Sequence, residues 1–236
     1  MRIIGGELKR RRLASPPDSS DTRPLPDNVR ESIFNLLRGH WEGANVLDCF
    51  AGTGSFGLEA VSRGAGRCVM VERDRKVVRV LERNISDLGV EDRADVFVGD
   101  ALSPAVIARM PRPIDVAMFD PPYEMVRDVD GWRRVRAQFE RVLGEMRETG
   151  FAMVRTPWPF YHEVRRAEAP VEPVVEQIDL SDEGADAALD SFEKDLTQAG
   201  KPVYEDGDLT FETGEGPETH VYGTTAVHLY MRKKQI

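Results

Sequence analysis

The sequence predicts an α/β domain of the doubly wound type, a mostly parallel sheet covered by helices on both faces. Three observations lead there. Short apolar runs recur at Val46-Leu47, Cys68–Val71, Val96–Val98, Val116–Phe119 and Phe151–Val154, as expected of buried strands. The segments between them carry helical periodicity, as in Val77, Leu81, Ile85 and Leu88 or in Val135, Phe139, Val142 and Met146. The first run also opens into a glycine loop, Gly52-Thr53-Gly54-Ser55-Phe56-Gly57, and sheets of this kind bind ligands at the carboxyl ends of their strands.

The 236 residues suit one domain of about 150–200 residues with attachments. Residues 1–12 hold Arg2, Lys9, Arg10, Arg11 and Arg12 against Glu7, a basic arm. Ser15-Pro16-Pro17 and Arg23-Pro24-Leu25-Pro26 read as extended linker, because proline interrupts both helix and ladder. A helix should follow, with Asp27 as its cap and Val29, Ile33, Leu36 and Leu37 on one apolar face. Beyond the fifth strand, residues 172–218 set fifteen Asp and Glu against Lys194 and Lys201. With few aliphatics, this stretch is expected to be an insertion without a core of its own. Alternating residues over Tyr222–Arg232 then predict an end strand. The expected organisation is an arm and linker over 1–26, a domain over 27–171 and 219–236, and an acidic insertion over 172–218.

The net charge of −9 would argue against a nucleic-acid partner, since phosphate contacts need Lys and Arg. The acidic segment accounts for all of that excess and leaves the remainder basic. No run of about 18 apolar residues exists, and Met1–Gly6 lacks the apolar core of an export signal. Membrane spanning and export are not expected. Cys49 and Cys68 cannot form a disulfide framework, and the four histidines show no metal-ligand spacing with them, so a reducing cytosol and no structural zinc are expected. Cys49 reads as small core filler.

Gly52, Gly54 and Gly57 fit the dinucleotide fingerprint, and Glu72 lies where an acid meets ribose hydroxyls. Three further features favour S-adenosyl-L-methionine. Asp48 ends the first strand, where a carboxylate can meet the cationic methionyl portion but would repel a pyrophosphate. Asp100, in Gly99-Asp100-Ala101-Leu102, closes the third strand, where it can accept from an adenine amine. The fourth strand is followed by Asp120-Pro121-Pro122-Tyr123, for which a dehydrogenase has no evident use.

That tetrad suits an amine substrate. The lone pair of an exocyclic base amine is delocalised into the ring, which makes it a poor nucleophile. Asp120 and the Pro121 carbonyl can accept both amine hydrogens and favour a pyramidal nitrogen. Pro121 and Pro122 fix that carbonyl, and Tyr123 offers a face on which a flipped base can stack.

These residues resemble the RsmD-like family of bacterial small-subunit ribosomal RNA (guanine-N2)-methyltransferases. The likeness rests on Arg2-Ile3-Ile4-Gly5-Gly6 with Arg11 and Leu13, on Arg23-Pro24 with Val29-Arg30-Glu31 and Phe34-Asn35, on Leu47–Gly54, and on Asp120–Tyr123. Tyr222-Gly223-Thr224-Thr225 is similar to the family's final hairpin. The resemblance implies a seven-stranded, mostly parallel Rossmann-like methyltransferase sheet acting on ribosomal RNA or a small-subunit ribonucleoprotein in the cytoplasm. Asp48, Phe50, Ala51, Gly52, Gly54, Glu72, Asp100 and Ala101 would bind S-adenosyl-L-methionine, and Asp120, Pro121, Pro122 and Tyr123 would hold the guanine. Arg2, Lys9, Arg10, Arg11, Arg12, Arg23 and Arg30 would grip RNA. The chain departs from the pattern at Arg10, where a glycine is usual, at Leu25, and at Arg155-Thr156-Pro157, where an acid and a histidine are usual. Residues 172–218 have no counterpart.

Other readings stay open on sequence grounds. The same machinery could serve adenine N6 in DNA or RNA, since the tetrad does not choose the base. A non-catalytic RNA-binding assembly factor could retain the pocket, and an NAD-dependent oxidoreductase could use the glycine loop.

Overall fold

The computed structural model describes residues 1–16, 25–164 and 203–234. Seven strands form the main sheet. These are β1 (Asn45–Cys49), β2 (Arg67–Glu72), β3 (Ala94–Val98), β4 (Ile114–Phe119), β5 (Met146–Pro157), β8 (Gly214–Tyr222) and β9 (Thr225–Arg232), in the order β3-β2-β1-β4-β5-β9-β8. The first five run parallel. Strand β9 enters antiparallel between β5 and β8. A separate two-stranded ladder joins β6 (Tyr161–Val164) to β7 (Val203–Asp206). The helices are α1 (Asp27–Leu36), α2 (Gly57–Ser62), α3 (Arg75–Leu88), α4 (Ala105–Arg109), α5 (Tyr123–Arg127) and α6 (Val129–Glu145).

Alternation along the strands divides the core in two. Val46, Cys68, Met70, Val116 and Met118 pack with Ile33, Phe34, Leu58, Leu81 and Ile85. Their neighbours Leu47, Val69, Val71, Ala117 and Phe119 pack with Val106, Val135, Phe139 and Leu143. Successive side chains of a strand point to opposite faces, so a parallel strand covered on both sides must be apolar throughout. The continuous apolar runs of the sequence are the signature of that arrangement. Register places Cys49 beside both Val71 and Phe119, and Phe119 beside Val154. The residues just past those positions therefore meet at one edge, where the strand order reverses around β1 and β4.

Two expectations need correcting. Asp27 does not cap α1. Pro26 holds the cap position without a side-chain bond, and the Asp27 carboxylate accepts instead from Arg2 at 2.9 Å and Arg30 at 3.1 Å. Two guanidinium donors within reach outcompete backbone amides for one carboxylate. The end strand is a hairpin, β8 and β9, so the sheet resumes at Gly214, inside the stretch expected to be an acidic insertion. There Glu215 and Glu218 stand exposed on the edge strand, and just upstream Phe211 is buried against Phe139 and Tyr230. Acids on the solvent side of an edge strand are compatible with pairing on the other side. Residues 172–202 of that stretch lie outside the described residues.

Candidate active site

The glycine loop leaves β1 through Phe50, whose φ of 68° lies in the left-handed region. A bulky side chain there is strained, and such strain tends to be kept at functional sites. Gly54, at φ 90°, has a second constraint, because a Cβ would stand 2.5 Å from Leu81 Cδ1 and 2.8 Å from Leu58 Cδ1. The loop thus lies directly on α2 and α3.

Three acids at successive strand ends hold backbone around this loop. Asp48, 1% exposed, accepts the Gly57 N–H at 2.8 Å through Oδ2. Its Oδ1 is buried without a partner among the described residues. Burial pushes its carboxyl up to about 8, with the Asp120 and Glu72 charges adding to the rise and the Gly57 amide opposing it. Glu72 accepts Gly52 N–H at 3.0 Å through Oε2, and the Arg73 and Asp74 amides at 2.8 Å each through Oε1. Asp100 accepts Leu102 N–H at 2.9 Å and faces Arg134 at 3.3 Å. Phe50, Ala51, Gly52, Glu72, Asp100 and Ala101 line a cleft of about 430 Å³, together with Asp120, Pro121, Pro122 and Arg155. Asp48 and Gly54 are not among the residues that line it: Asp48 holds the Gly57 amide and Gly54 packs against Leu58 and Leu81.

At the end of β4, Asp120 Oδ1 accepts from Arg155 Nε of β5. Pro121 is buried and Pro122 precedes α5, which Tyr123 opens. The Tyr123 hydroxyl donates to Thr225 Oγ1 at 2.6 Å and accepts from Arg155 Nη1 at 2.7 Å. The Arg155 guanidinium carbon lies 4.8 Å from the centre of the tyrosine ring. Burial acts to lower the Arg155 pKa, but Asp120 and Tyr123 together outweigh it and hold the group above its ordinary value. The tetrad is therefore a side-chain network spanning β4, α5, β5 and β9.

The arm doubles back on itself, with Ile3 N–H donating to Arg11 O at 2.9 Å and Leu13 N–H to Met1 O at 3.0 Å. Its turn is anchored on α2, where buried Glu59 accepts the Ile4 and Gly5 amides at 2.7 and 2.8 Å. Buried Asn84 joins it to the glycine loop, accepting Ala14 N–H at 2.7 Å while donating to Thr53 O at 2.9 Å. Met1, Ser15 and Pro16 then reach the cleft. Lys9, Arg10 and Arg12 are exposed; Arg11 is exposed too, with its guanidinium on the Asp87 carbonyl. Arg2 is exposed beside Asp27. Arg30, expected among the RNA contacts, is instead 1% exposed and donates to Arg2 O and Asp27, so its role is to hold the arm on α1. Arg23 lies outside the described residues.

A family profile described as conserved hypothetical protein 95 matches residues 1–155. The chain belongs to this family, the RsmD-like proteins. Ribosomal RNA small subunit methyltransferase D of Escherichia coli (strain K12) is 41% identical over 123 residues, which cover 52% of this chain and 60% of that protein. The putative rRNA methyltransferase YlbH of Bacillus subtilis (strain 168) is 42% identical over 101 residues, or 43% and 54%. The chain thus aligns with little more than half the length of these curated relatives. The solved structure of the putative methyltransferase yhhF from Escherichia coli superposes with a TM-score of 0.67 at 26% identity and covers 100% of this chain and 99% of that one. The fold is that of a Rossmann-like methyltransferase.

The family match ends at Arg155, so it takes in the arm, the glycine loop and the tetrad but leaves out Thr225 and the β8–β9 hairpin. Sequence reasoning assigned no role to Arg155, Thr225, Asn84 or Glu59. A charged or amide side chain on the apolar face of a helix was the available signal for Glu59 and Asn84. Nothing local marks the other two, whose partners come from strand register.

Proposed function

We propose that this RsmD-like chain is an RNA methyltransferase that transfers a methyl group from S-adenosyl-L-methionine to the exocyclic N2 of a guanine in small-subunit ribosomal RNA. The observation that carries the reading is the convergence of two sets of groups on one cleft: the acid-braced glycine loop and the Asp120-Pro121-Pro122-Tyr123 run. The residues fit the cofactor. Asp48 Oδ1 is a buried acceptor in want of a donor, suited to the methionyl ammonium, and Glu72 and Asp100 on the cleft wall suit ribose hydroxyls and an adenine amine. When bound, S-adenosyl-L-methionine supplies an electrophilic sulfonium methyl.

The chain's own residues prepare the nucleophile. Asp120 and the Pro121 carbonyl accept the two amine hydrogens, which draws the nitrogen out of conjugation and directs its lone pair. Methylation makes that nitrogen more acidic, and Asp120 or water takes the proton. The arm's exposed Lys9, Arg10, Arg11 and Arg12 contact phosphates, each contact releasing counterions. On this reading the protein works in the cytoplasm, where its RNA substrate is. No helix among the described residues is long and apolar enough to cross a membrane.

The test is mass-spectrometric mapping of ribosomal RNA nucleosides from cells lacking this protein. Loss of one N2-methylguanosine from the small-subunit RNA is expected. Loss of an N6-methyladenosine instead would reassign the base, and an unchanged map would contradict the reading.

A further inference from the structure

The side chain that binds the tetrad together lies outside it. Val154 pairs with Phe119 in the sheet, so Arg155 emerges beside Asp120 from the adjacent strand. Its Nε donates to Asp120 Oδ1, and its Nη1 donates to the Tyr123 hydroxyl at 2.7 Å and to Thr225 Oγ1 at 3.5 Å. The Tyr123 hydroxyl donates in turn to Thr225 Oγ1, which donates to the Thr156 carbonyl at 3.2 Å. Arg155 and Asp120 are 16% and 18% exposed, so water screens their pairing far less than that of a surface ion pair. Asp120 Oδ2 takes no hydrogen bond among the described residues, which leaves one carboxylate oxygen gripped and the other open to the cleft that Asp120 lines.

We propose that Arg155 is a positioning residue for methyl transfer: it grips one oxygen of Asp120 and the phenol of Tyr123 at once, and so presents the other Asp120 oxygen to the target amine. The proposal rests on the methyl-transfer reading above. A planar guanidinium holds its N–H groups in a fixed fork, so it can set two partners relative to one another, whereas an ammonium is a point charge without that fixed geometry. Without Arg155, the Asp120 carboxylate turns about its terminal bond, and misplacement on the ångström scale can cost about 100-fold in rate. Arg155 also closes a loop of hydrogen bonds through β9, so the hairpin outside the family match takes part in shaping the site.

The test uses Arg155→Gln and Arg155→Lys in the full chain. Three quantities are read: the dissociation constant for S-adenosyl-L-methionine by calorimetry, the single-turnover rate of methyl transfer to unmodified small-subunit RNA, and the ¹⁹F resonance of Tyr123 in 3-fluorotyrosine-labelled protein, assigned through Tyr123→Phe. Arg155→Gln should slow transfer roughly 30- to 100-fold while cofactor affinity changes less than about threefold, and its Tyr123 resonance should shift and broaden. Arg155→Lys should recover part of the rate, because the charge survives and the fork does not. Tyr123→Phe should cost less in the Arg155→Gln background than alone, since the phenol would already have lost its partner. A wild-type rate in Arg155→Gln with an unmoved Tyr123 resonance would overturn the proposal. Should Arg155→Gln fail to fold, a wild-type rate in Arg155→Lys would overturn it equally. If the wild-type chain transfers no methyl to RNA, the functional reading fails instead. The resonance then decides only whether Arg155 grips the Tyr123 phenol, an unmoved signal against that grip and a shifted one for it.

Discussion

On one side of the cleft, acids hold backbone: Asp48 takes the Gly57 amide, Glu72 those of Gly52, Arg73 and Asp74, and Asp100 that of Leu102. On the other, side chains hold one another, as Asp120, Arg155, Tyr123 and Thr225 do. The difference matters for how each side fails. Removing an acceptor from backbone leaves an amide unsatisfied and loosens the loop itself, so binding and stability fall together. Removing one member of a side-chain network leaves the backbone in place and alters the orientation of a reacting group, which is felt in rate.

The largest effect expected is from Asp120→Ala, which should lower the single-turnover methyl-transfer rate about 100- to 1,000-fold, the scale for losing one preorganised group at a reacting centre. Its calorimetric affinity for S-adenosyl-L-methionine should stay near wild type. An affinity loss as large as the rate loss would erase the contrast between the two sides. Glu72→Ala should do the reverse, weakening cofactor binding about 10- to 150-fold and lowering the thermal midpoint, with near-normal transfer at saturating cofactor. A Glu72→Ala protein that binds normally would remove Glu72 from cofactor recognition.

The acid half should also carry a pH signature. The folded-state pKa of Asp48 is raised to about 8, so the cofactor-free fold loses stability as pH rises from about 4 to about 8. His228 shows the opposite sign. Burial between Thr156 and Thr219 pushes it down to about 4, so its contribution is lost as pH falls from about 6.5 to about 4. Among the described groups with shifted values, Asp48 is the one that acts between pH 6.5 and 8, and Asp48→Asn should flatten the denaturation midpoint across that window. On the proposal that Asp48 meets the methionyl ammonium, cofactor affinity in the wild type should rise with pH up to about 8, as that carboxylate ionises. A pH-independent affinity would place that ammonium elsewhere.

The smallest effect concerns the arm. Arg10 has a φ of 73°, in the left-handed region that favours glycine. Arg10→Gly should stabilise the fold by about 1 kcal/mol in denaturant titration, by relieving left-handed strain, while weakening RNA binding and flattening its salt dependence. A variant that gains no stability would mean that the turn relaxes around the arginine at no cost.

The parallel half of the sheet was legible because strands buried on both faces must be apolar at every position, and because the tetrad and the glycine loop are contiguous in sequence. The rest depended on distance. Arg155 lies 35 residues from Asp120 and Thr225 lies 102 from Tyr123, so only the register of β4, β5 and β9 brings them together. Strand β8 was hidden by its own chemistry, since exposed acids and Pro217 on an edge strand give a composition that resembles an unpaired loop. Arg30 was misread for the converse reason. An arginine near a basic arm suggests phosphate, but its stem lies in the core and its head bonds Arg2 O and Asp27.

The most direct test of the account is made in vitro with purified chain, S-adenosyl-L-methionine and unmodified small-subunit ribosomal RNA, followed by complete digestion and mass spectrometry of the nucleosides. We expect one N2-methylguanosine per RNA with the wild-type chain and close to none with Asp120→Ala at saturating cofactor. The same yield from both proteins, or methylation confined to another base, would contradict it.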